Sequence, residues 1–235
     1  MPFKSMDDTI IVKIIILGAA NSGKTSIIQR YFKSTFSADR VVTIGADFYS
    51  KKMTVANLDI VLQAWDTAGQ ERYASGTIAS PFYKKADGIL LVYDVTTLTT
   101  AQQLTMFSSE VMNAIGSVPP LIVIGNKIDL MGGEGQQEAR SEAISAAKLY
   151  CETGKMPYVH LLTSAKDGHG IEAALSAIVA RAVDNRKTKD YQSGVRGTGA
   201  GNGVISLGRG GDEFSADTPI DEMFVKAGHR RSICC

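Results

Sequence analysis

The feature that most constrains this chain is a short apolar run that ends in a glycine-rich turn and continues into a helical pattern. The apolar run occupies residues 10–17, "GAANSGKT" follows at 18–25, and the helical pattern begins at Lys24. This is the spacing G-x-x-x-x-G-K-[ST], set between a strand and a helix. Such a loop binds phosphate because its backbone N–H groups point inward and the positive end of the helix dipole lies beside them. The sequence therefore predicts a site for a nucleoside triphosphate.

The chemistry of this loop suggests individual roles for its residues. Lys24 is predicted to reach the β- and γ-phosphates, and the hydroxyl of Thr25 is predicted to ligate Mg²⁺. The other contacts with the nucleotide are expected from neighbouring residues of the loop and first helical turn: Gly18, Asn21, Ser22, Gly23 and Ser26. The motif does not indicate which base the nucleotide carries.

Short apolar runs alternate with longer helical stretches along the chain. The strand candidates are residues 10–17, 49–56, 59–65, 88–95, 120–125 and 158–162, and the helical stretches are 24–32, 100–115, 138–151 and 170–183. Only Asn57 and Leu58 separate the second and third runs, so an antiparallel hairpin is expected at one edge. The pattern predicts a doubly wound α/β fold with a mostly parallel six-stranded sheet, one antiparallel edge strand and about five helices. The ligand should lie at the carboxyl ends of the strands.

Composition divides the chain and excludes some partners. The net charge is +1, which gives no indication of nucleic-acid binding. The chain is expected to comprise an extension at 1–9, a folded domain at 10–183 and a flexible tail at 184–235, because residues 193–219 are rich in Gly and Ser and lack apolar periodicity. The last two residues, Cys234 and Cys235, are two of only three cysteines. Neighbouring cysteines rarely pair and two ligands do not enclose zinc, so modification of these thiols is predicted.

Two later motifs indicate the base. "NKID" at 126–129 ends the fifth apolar run and "TSAK" at 163–166 ends the sixth. The carboxylate of Asp129 can accept hydrogen bonds from guanine N1–H and its 2-amino group, which adenine does not offer. Asn126 is suited to N7, the stem of Lys127 to the face of the base, and the Ala165 N–H to O6. The full base-binding set is predicted to be Asn126, Lys127, Asp129, Ser164, Ala165 and Lys166.

Two further segments are expected to respond to the γ-phosphate. In "WDTAGQE" at 65–71, Asp66 is predicted to hold Mg²⁺, the Gly69 N–H to contact the γ-phosphate and Gln70 to orient the attacking water. Thr43 offers a hydroxyl to Mg²⁺ and an N–H to the same phosphate. Both segments would bind only while the γ-phosphate is present and relax after hydrolysis, which makes a switch.

Residues 10–183 resemble the Ras superfamily of small GTPases on these motifs. "TIGADF", "WDTAGQER" and the terminal Cys-Cys are similar to its Rab branch, and "TIGADF" together with "MPY" at 156–158 is most similar to the late-endosomal Rabs. The resemblance implies a monomeric GTP/GDP switch that regulates vesicle traffic and hydrolyses GTP slowly unless an activating protein assists. It also implies effectors, an exchange factor, an escort protein and a GDP-dissociation inhibitor.

The resemblance assigns roles to further residues. It implies that Phe36 stacks on guanine, and that Phe48, Trp65 and Phe82 form an aromatic triad that effectors contact; the alternative for these three is a place in the core. It implies geranylgeranyl groups on Cys234 and Cys235. These lipids would hold the protein on the cytosolic face of an endomembrane, such as the late endosome or lysosome, in exchange with a soluble cytosolic pool.

The chain departs from the family pattern in the loop and in the second switch. Ala20 adds a methyl group near the attacking water, whereas Asn21 tolerates a left-handed backbone. The stretch 72–83 is two residues longer than usual and contains Pro81, and Leu162 stands where an acid is common. These departures suggest an alternative, a nucleotide-binding scaffold whose hydrolysis is lost or very slow. A phosphate-loop kinase or ATPase is a third reading, but it has no use for "NKID" and "TSAK".

Overall fold

The computed structural model describes residues 10–37, 46–67, 82–132, 137–153 and 158–197. The strands are β1 Ile10–Gly18, β2 Ala46–Val55, β3 Leu58–Thr67, β4 Gly88–Asp94, β5 Leu121–Asn126 and β6 Val159–Thr163. The helices are α1 Lys24–Lys33, α2 Leu98–Gln102, α3 Leu104–Ile115, α4 Gln137–Thr153 and α5 Ile171–Gly197, with a 3₁₀ turn at Ile128–Leu130. None of the helices in these ranges is both long enough and apolar enough to cross a membrane.

The six strands form one sheet in the order β2-β3-β1-β4-β5-β6. The pairs β1–β3, β1–β4, β4–β5 and β5–β6 are parallel, and only β2–β3 among these pairs is antiparallel. The predicted fold class is therefore confirmed, including the antiparallel edge strand. The hairpin turn consists of Ala56 and Asn57, whose φ angles are 48° and 62°, and not of Asn57 and Leu58. Leu58 belongs to β3 opposite Val55, because a two-residue turn with both φ positive matches the twist of the flanking strands.

Buried side chains cover both faces of the sheet. One core cluster lies between the sheet and helices α1 and α5, and the other between the sheet and helices α3 and α4. Every residue of β4 and β5 is buried, as the continuous apolar runs predicted. Cys151 lies in the second cluster, where burial, followed by the nearby Glu152, raises the pKa of its thiol to about 11. It is a core residue, as expected.

Two helices differ from their predicted bounds. The stretch predicted as one helix at 100–115 is two helices that meet at Gln103. The short first helix is tied to the end of β4, because Thr100 Oγ1 accepts the Asp94 N–H at 3.0 Å and donates to Thr97 O at 2.6 Å. The last helix was expected to end at Val183 but continues to Gly197.

Arg186 holds the first turn of this extension of α5 against the rest of the domain. Its Nη1 donates to Ile11 O at 2.5 Å and its Nε lies 3.4 Å from Asp87 Oδ1. These partners are more than 90 residues away in sequence, so composition alone could not reveal them. Contacts within the chain divide it into two units, Met1–Asp190 and Tyr191–Cys235.

A side-chain hydrogen bond crosses the sheet near β6. Tyr93 of β4 and His160 of β6 lie on either side of β5, and Tyr93 Oη is 2.9 Å from His160 Nε2. The rings are stacked with their centroids 5.8 Å apart. Gly125 of β5 makes this contact possible, because a Cβ there would lie 2.6 Å from Tyr93 Oη.

Candidate nucleotide-binding site

The loop between β1 and α1 adopts the backbone that its glycines permit. Gly18 and Gly23 have φ angles of 148° and 93°. A Cβ on Gly18 would lie 2.0 Å from Val92 O, and one on Gly23 would lie 2.2 Å from Asn126 Nδ2. Both positions therefore require glycine for space as well as for conformation. Asn21 has a φ of 61°, so it takes the left-handed backbone that the sequence suggested it would tolerate.

Lys24 closes this loop from its own helix. Its Nζ donates to Gly18 O at 3.0 Å and to Ala19 O at 2.9 Å, and the residue is only 6% exposed. The ammonium group is thus fixed against the carbonyls of the loop. A positive charge held in this way needs little reorganisation to meet a phosphate oxygen.

Thr25 and Asp66 bring two oxygen ligands together at the carboxyl ends of β1 and β3. The hydroxyl of Thr25 donates to Asp66 Oδ2 at 2.6 Å. Asp66 is fully buried, and its Oδ1 accepts no hydrogen bond from any described residue. Burial raises the pKa of Asp66, while the Thr25 hydroxyl and Lys24 oppose the rise. A buried carboxylate oxygen without a partner is costly, and hard divalent cations prefer such oxygens, so this pair fits a Mg²⁺ ligand set.

Asn126 joins the phosphate loop to the loop after β6. Its Nδ2 donates to Ser22 O at 3.0 Å. Its Oδ1 accepts from Thr163 Oγ1 at 3.2 Å and from the Ala165 N–H at 3.1 Å. The amide therefore fixes the distance between the two halves of the site. The predicted contacts of Asn126 with N7 and of Ala165 with O6 stay predictions.

Asp129 is oriented by the loop that follows β6. Ser164 Oγ donates to Asp129 Oδ1 at 2.7 Å and itself accepts the Asp167 N–H at 3.0 Å. Ser164 is fully buried, so its hydroxyl is shielded from water, and Asp129 is half-buried. One carboxylate oxygen of Asp129 is thus fixed, which suits a side chain that must hold one orientation to recognise a base.

Lys127 has a partner that sequence reasoning missed. Its φ is 74°, and its Nζ lies 2.6 Å from Asp94 Oδ2. Asp94 ends β4, and its Oδ1 accepts the N–H of Thr96 at 2.9 Å and its hydroxyl at 2.6 Å. The sequence did offer one indication of this pair, because an acidic residue at the carboxyl end of a buried strand is placed to meet a cation at the same edge of the sheet. The pair holds the stem of Lys127 along one side of the site.

Arg30 contacts the loop after β6 and was also assigned no role from the sequence. Its guanidinium group donates to the carbonyl oxygens of Ala165, Lys166 and Ser34. No local pattern marks this arginine, which lies in the middle of an ordinary helical run. It connects α1 to the loop that holds Ser164.

The three aromatic residues of the proposed triad are neighbours. Phe48 and Trp65 are stacked with ring centroids 5.6 Å apart, and Trp65 meets Phe82 edge-on at 6.3 Å. Phe48 is 56% exposed and the other two are half-buried. These residues therefore form one cluster, exposed at Phe48 and packed against the second core cluster at Trp65. Contact of this cluster with effectors stays a prediction.

The structure brings most of the predicted site residues to one edge of the sheet. Phe36 follows α1 and is 38% exposed, and Ser26 lies in the first turn of α1. Some of the predicted residues lie outside the described part of the chain, so their roles stay predictions. They are Thr43, Gly69, Gln70, the stretch 72–81 of the second switch, Cys234 and Cys235.

Comparisons with known proteins agree with this geometry. Residues 13–184 match the model of the Ras family. The chain is 37% identical over 185 residues to the GTP-binding protein YPTC5 of Chlamydomonas reinhardtii. This match covers 77% of this chain and 86% of that protein. Identity and coverage are the same for the Ras-related protein Rab7A of Mesembryanthemum crystallinum and for the Ypt/Rab-type GTPase ypt7 of Schizosaccharomyces pombe.

Proposed function

The chain belongs to the Ras family, and from that premise we propose how its residues perform the cycle of a Rab-type small GTPase. It binds GTP and GDP, hydrolyses GTP and acts in vesicle traffic, as a Rab of the late-endosomal type. The observation that carries the proposal is the bridge made by Asn126. It ties Ser22 of the phosphate loop to Thr163 and Ala165, so phosphate binding and base reading belong to one site.

The phosphate half of the site uses residues of the loop and of β3. Lys24 meets the β- and γ-phosphates, and the loop N–H groups surround their oxygens. Thr25 and Asp66, together with Thr43, would hold Mg²⁺, which neutralises charge on the phosphates when bound. Gln70 orients the attacking water, and the Gly69 N–H contacts the γ-phosphate. The reaction yields GDP and phosphate, slowly by itself and faster with an activating protein.

The base half selects guanine. Asp129, oriented by Ser164, accepts the N1–H and 2-amino protons, and Phe36 lies against the ring. Lys127, paired with Asp94, extends along the other side of the base. Adenine would offer the Asp129 carboxylate neither of these two donors, which accounts for selectivity of up to roughly 10⁴-fold.

The switch controls what the protein binds. Thr43 and Gly69 contact the γ-phosphate in the GTP state, which orders their segments beside the triad of Phe48, Trp65 and Phe82. Effectors recognise that state, and an exchange factor restores it by releasing GDP. The protein acts as a monomer in this cycle.

Membrane attachment depends on the C-terminal tail. Cys234 and Cys235 each carry a geranylgeranyl group, added with the help of an escort protein. Two chains give stable anchoring where one gives only marginal binding, at about 0.8 kcal/mol for each buried CH₂. A GDP-dissociation inhibitor returns the GDP form to the cytosol. Relatives that carry the names Rab7 and ypt7 support the late endosome or lysosome as the target membrane.

Competition and single-turnover experiments test the proposal. Unlabelled GTP and GDP should displace a fluorescent GDP at far lower concentrations than ATP, with Mg²⁺ present throughout. Purified wild-type protein should then convert one bound GTP to GDP slowly, and Gln70→Leu should abolish that step while GTP stays bound. Equal displacement by ATP would reject the guanine site. Wild-type hydrolysis no faster than Gln70→Leu, even with a Rab-activating domain added, would favour the scaffold alternative.

A further inference from the structure

The guanidinium group of Arg30 joins two chain segments that flank the base half of the site. Its Nε donates to Ala165 O at 2.8 Å and its Nη2 donates to Lys166 O. Its Nη1 donates to Ser34 O at 3.2 Å. The first two acceptors lie 135 and 136 residues away in sequence, and the third lies four residues away.

The first segment is the loop after β6. Ala165 donates its N–H to Asn126, and Ser164, one residue earlier, orients Asp129. Any movement of the carbonyls of residues 165 and 166 would therefore move the groups proposed to read guanine. Gly168 lies close to the same arginine, because a Cβ there would be 3.7 Å from Arg30 Cδ.

The second segment is the end of α1. Ser34 caps this helix with a φ of 54°, and its N–H donates to Arg30 O at 3.0 Å. Phe36, the residue proposed to lie against the guanine ring, follows Ser34 by two positions. Arg30 therefore donates hydrogen bonds to both segments. One segment carries the groups proposed to recognise guanine, and the other leads to the ring of Phe36.

We propose that Arg30 is a positioning residue that sets how long the nucleotide stays bound, by holding these two segments at a fixed separation. The inference rests on the proposed function, in which both segments contact guanine. A planar guanidinium group carries five N–H donors in a rigid fork, so it can serve three carbonyls at once. A lysine has one point of charge on a flexible stem and cannot reproduce the fork.

The role of Arg30 can be tested by the dissociation rate of a GDP that is labelled on its ribose, measured after an excess of unlabelled GDP is added. Arg30→Met should release the nucleotide at least about tenfold faster than wild type, which corresponds to about 1.4 kcal/mol. Arg30→Lys should behave like Arg30→Met. Lys33→Met removes an exposed cation from the same helix end and should stay within about twofold of wild type.

A double-mutant cycle with Phe36→Ala separates positioning from general stabilisation. If Arg30 acts through the two segments, the double variant should release GDP less than about threefold faster than Phe36→Ala alone. Circular dichroism and the amount of bound GDP after purification establish that each variant is folded. An unchanged release rate in Arg30→Met, or full additivity with Phe36→Ala, overturns the inference. Failure of wild-type protein to retain GDP at all would instead overturn the proposed function and this inference with it.

Discussion

Lys13 places its Nζ 4.5 Å from the centre of the Trp65 ring. The same nitrogen donates to Phe82 O at 2.7 Å and to Lys84 O at 3.1 Å. Burial lowers the pKa of Lys13, and the nearby Asp87 opposes that shift. One side chain on β1 thus contacts Trp65 and the backbone of Phe82, two members of the aromatic triad.

Replacing Lys13 should loosen the triad. Lys13→Met loses the contact with the ring and two hydrogen bonds to carbonyls, which we expect to lower the free energy of unfolding by about 1–2 kcal/mol. Trp65 is the only tryptophan in the chain, so its emission reports this site directly. Urea unfolding followed by tryptophan fluorescence measures both effects. Lys84→Met is the matched control, because Lys84 contributes its backbone carbonyl and not its side chain. Equal unfolding midpoints and emission spectra for the two variants would contradict the assignment.

Asp129→Asn should change the preferred base. The amide would donate a hydrogen bond where the carboxylate accepted one, which suits the 2-oxo group of xanthine and disfavours guanine. We expect GDP affinity to fall by at least about 100-fold and xanthosine diphosphate to become the better ligand. Titration calorimetry with both nucleotides gives the ratio. Asp167→Asn removes a nearby charge without touching the base and should leave the preference unchanged.

The hydroxyl of Ser22 should reduce stability. It is fully buried, and its Oγ has no hydrogen-bond partner among the described residues. Removing such a group relieves a penalty of about 1–3 kcal/mol, so Ser22→Ala should raise the melting temperature by about 2–4 °C or more. Thr100→Val is the comparison, because its buried hydroxyl is fully used and its loss should lower the melting temperature. Calorimetry with the same excess of GDP for each variant tests the pair. A lower melting temperature for Ser22→Ala, at an unchanged GDP affinity, would show that the hydroxyl has a partner within the protein.

Acidification should destabilise the protein through His160. Burial lowers the pKa of His160 from 6.5, and Lys148 lowers it further. The folded state then binds fewer protons than the unfolded state just below pH 6.5, so the contribution of neutral His160 is present above that pH and lost as the pH falls. His160→Gln should flatten the fall of the melting temperature between about pH 7 and pH 5. Parallel curves for wild type and variant over that range would reject this role.

The terminal cysteines should act as a pair. Protein made in eukaryotic cells should carry two lipid groups by intact-mass measurement, and it should float with membranes. Loss of either Cys234 or Cys235 should give reversible membrane binding, and loss of both should abolish it, because one chain alone binds only marginally. Nucleotide binding should be unchanged in every variant. Membrane-bound protein with an unmodified C-terminus would exclude lipid anchoring at these residues.

Local patterns sufficed for the parts of the fold and site that depend on neighbouring residues. The loop around Gly18 and Gly23 could be predicted because strand, glycines, Lys24 and Thr25 are consecutive. The buried parallel strands could be predicted because β4 and β5 are apolar on both faces. The left-handed backbone of Asn21 is one that its residue type was expected to tolerate.

Contacts between distant residues could not be predicted. Arg30 meets Ala165 across 135 residues, and Arg186 meets Ile11 across 175. The flexible tail was predicted to begin at residue 184, yet the contacts of Arg186 hold that residue in α5. Lys127 likewise finds Asp94 only because β4 and β5 are adjacent in the sheet.

The hydrogen bond between Tyr93 and His160 also protects the register of an edge strand. β6 has five residues and, among the described strands, pairs only with β5. A slip of one residue would turn every side chain of β6 to the opposite face. Val159 or Leu161 would then stand where His160 meets Tyr93, and Ser164 would move away from Asp129. The proposed recognition of guanine therefore depends on a strand alignment that is selected by two residues with no proposed contact to the nucleotide.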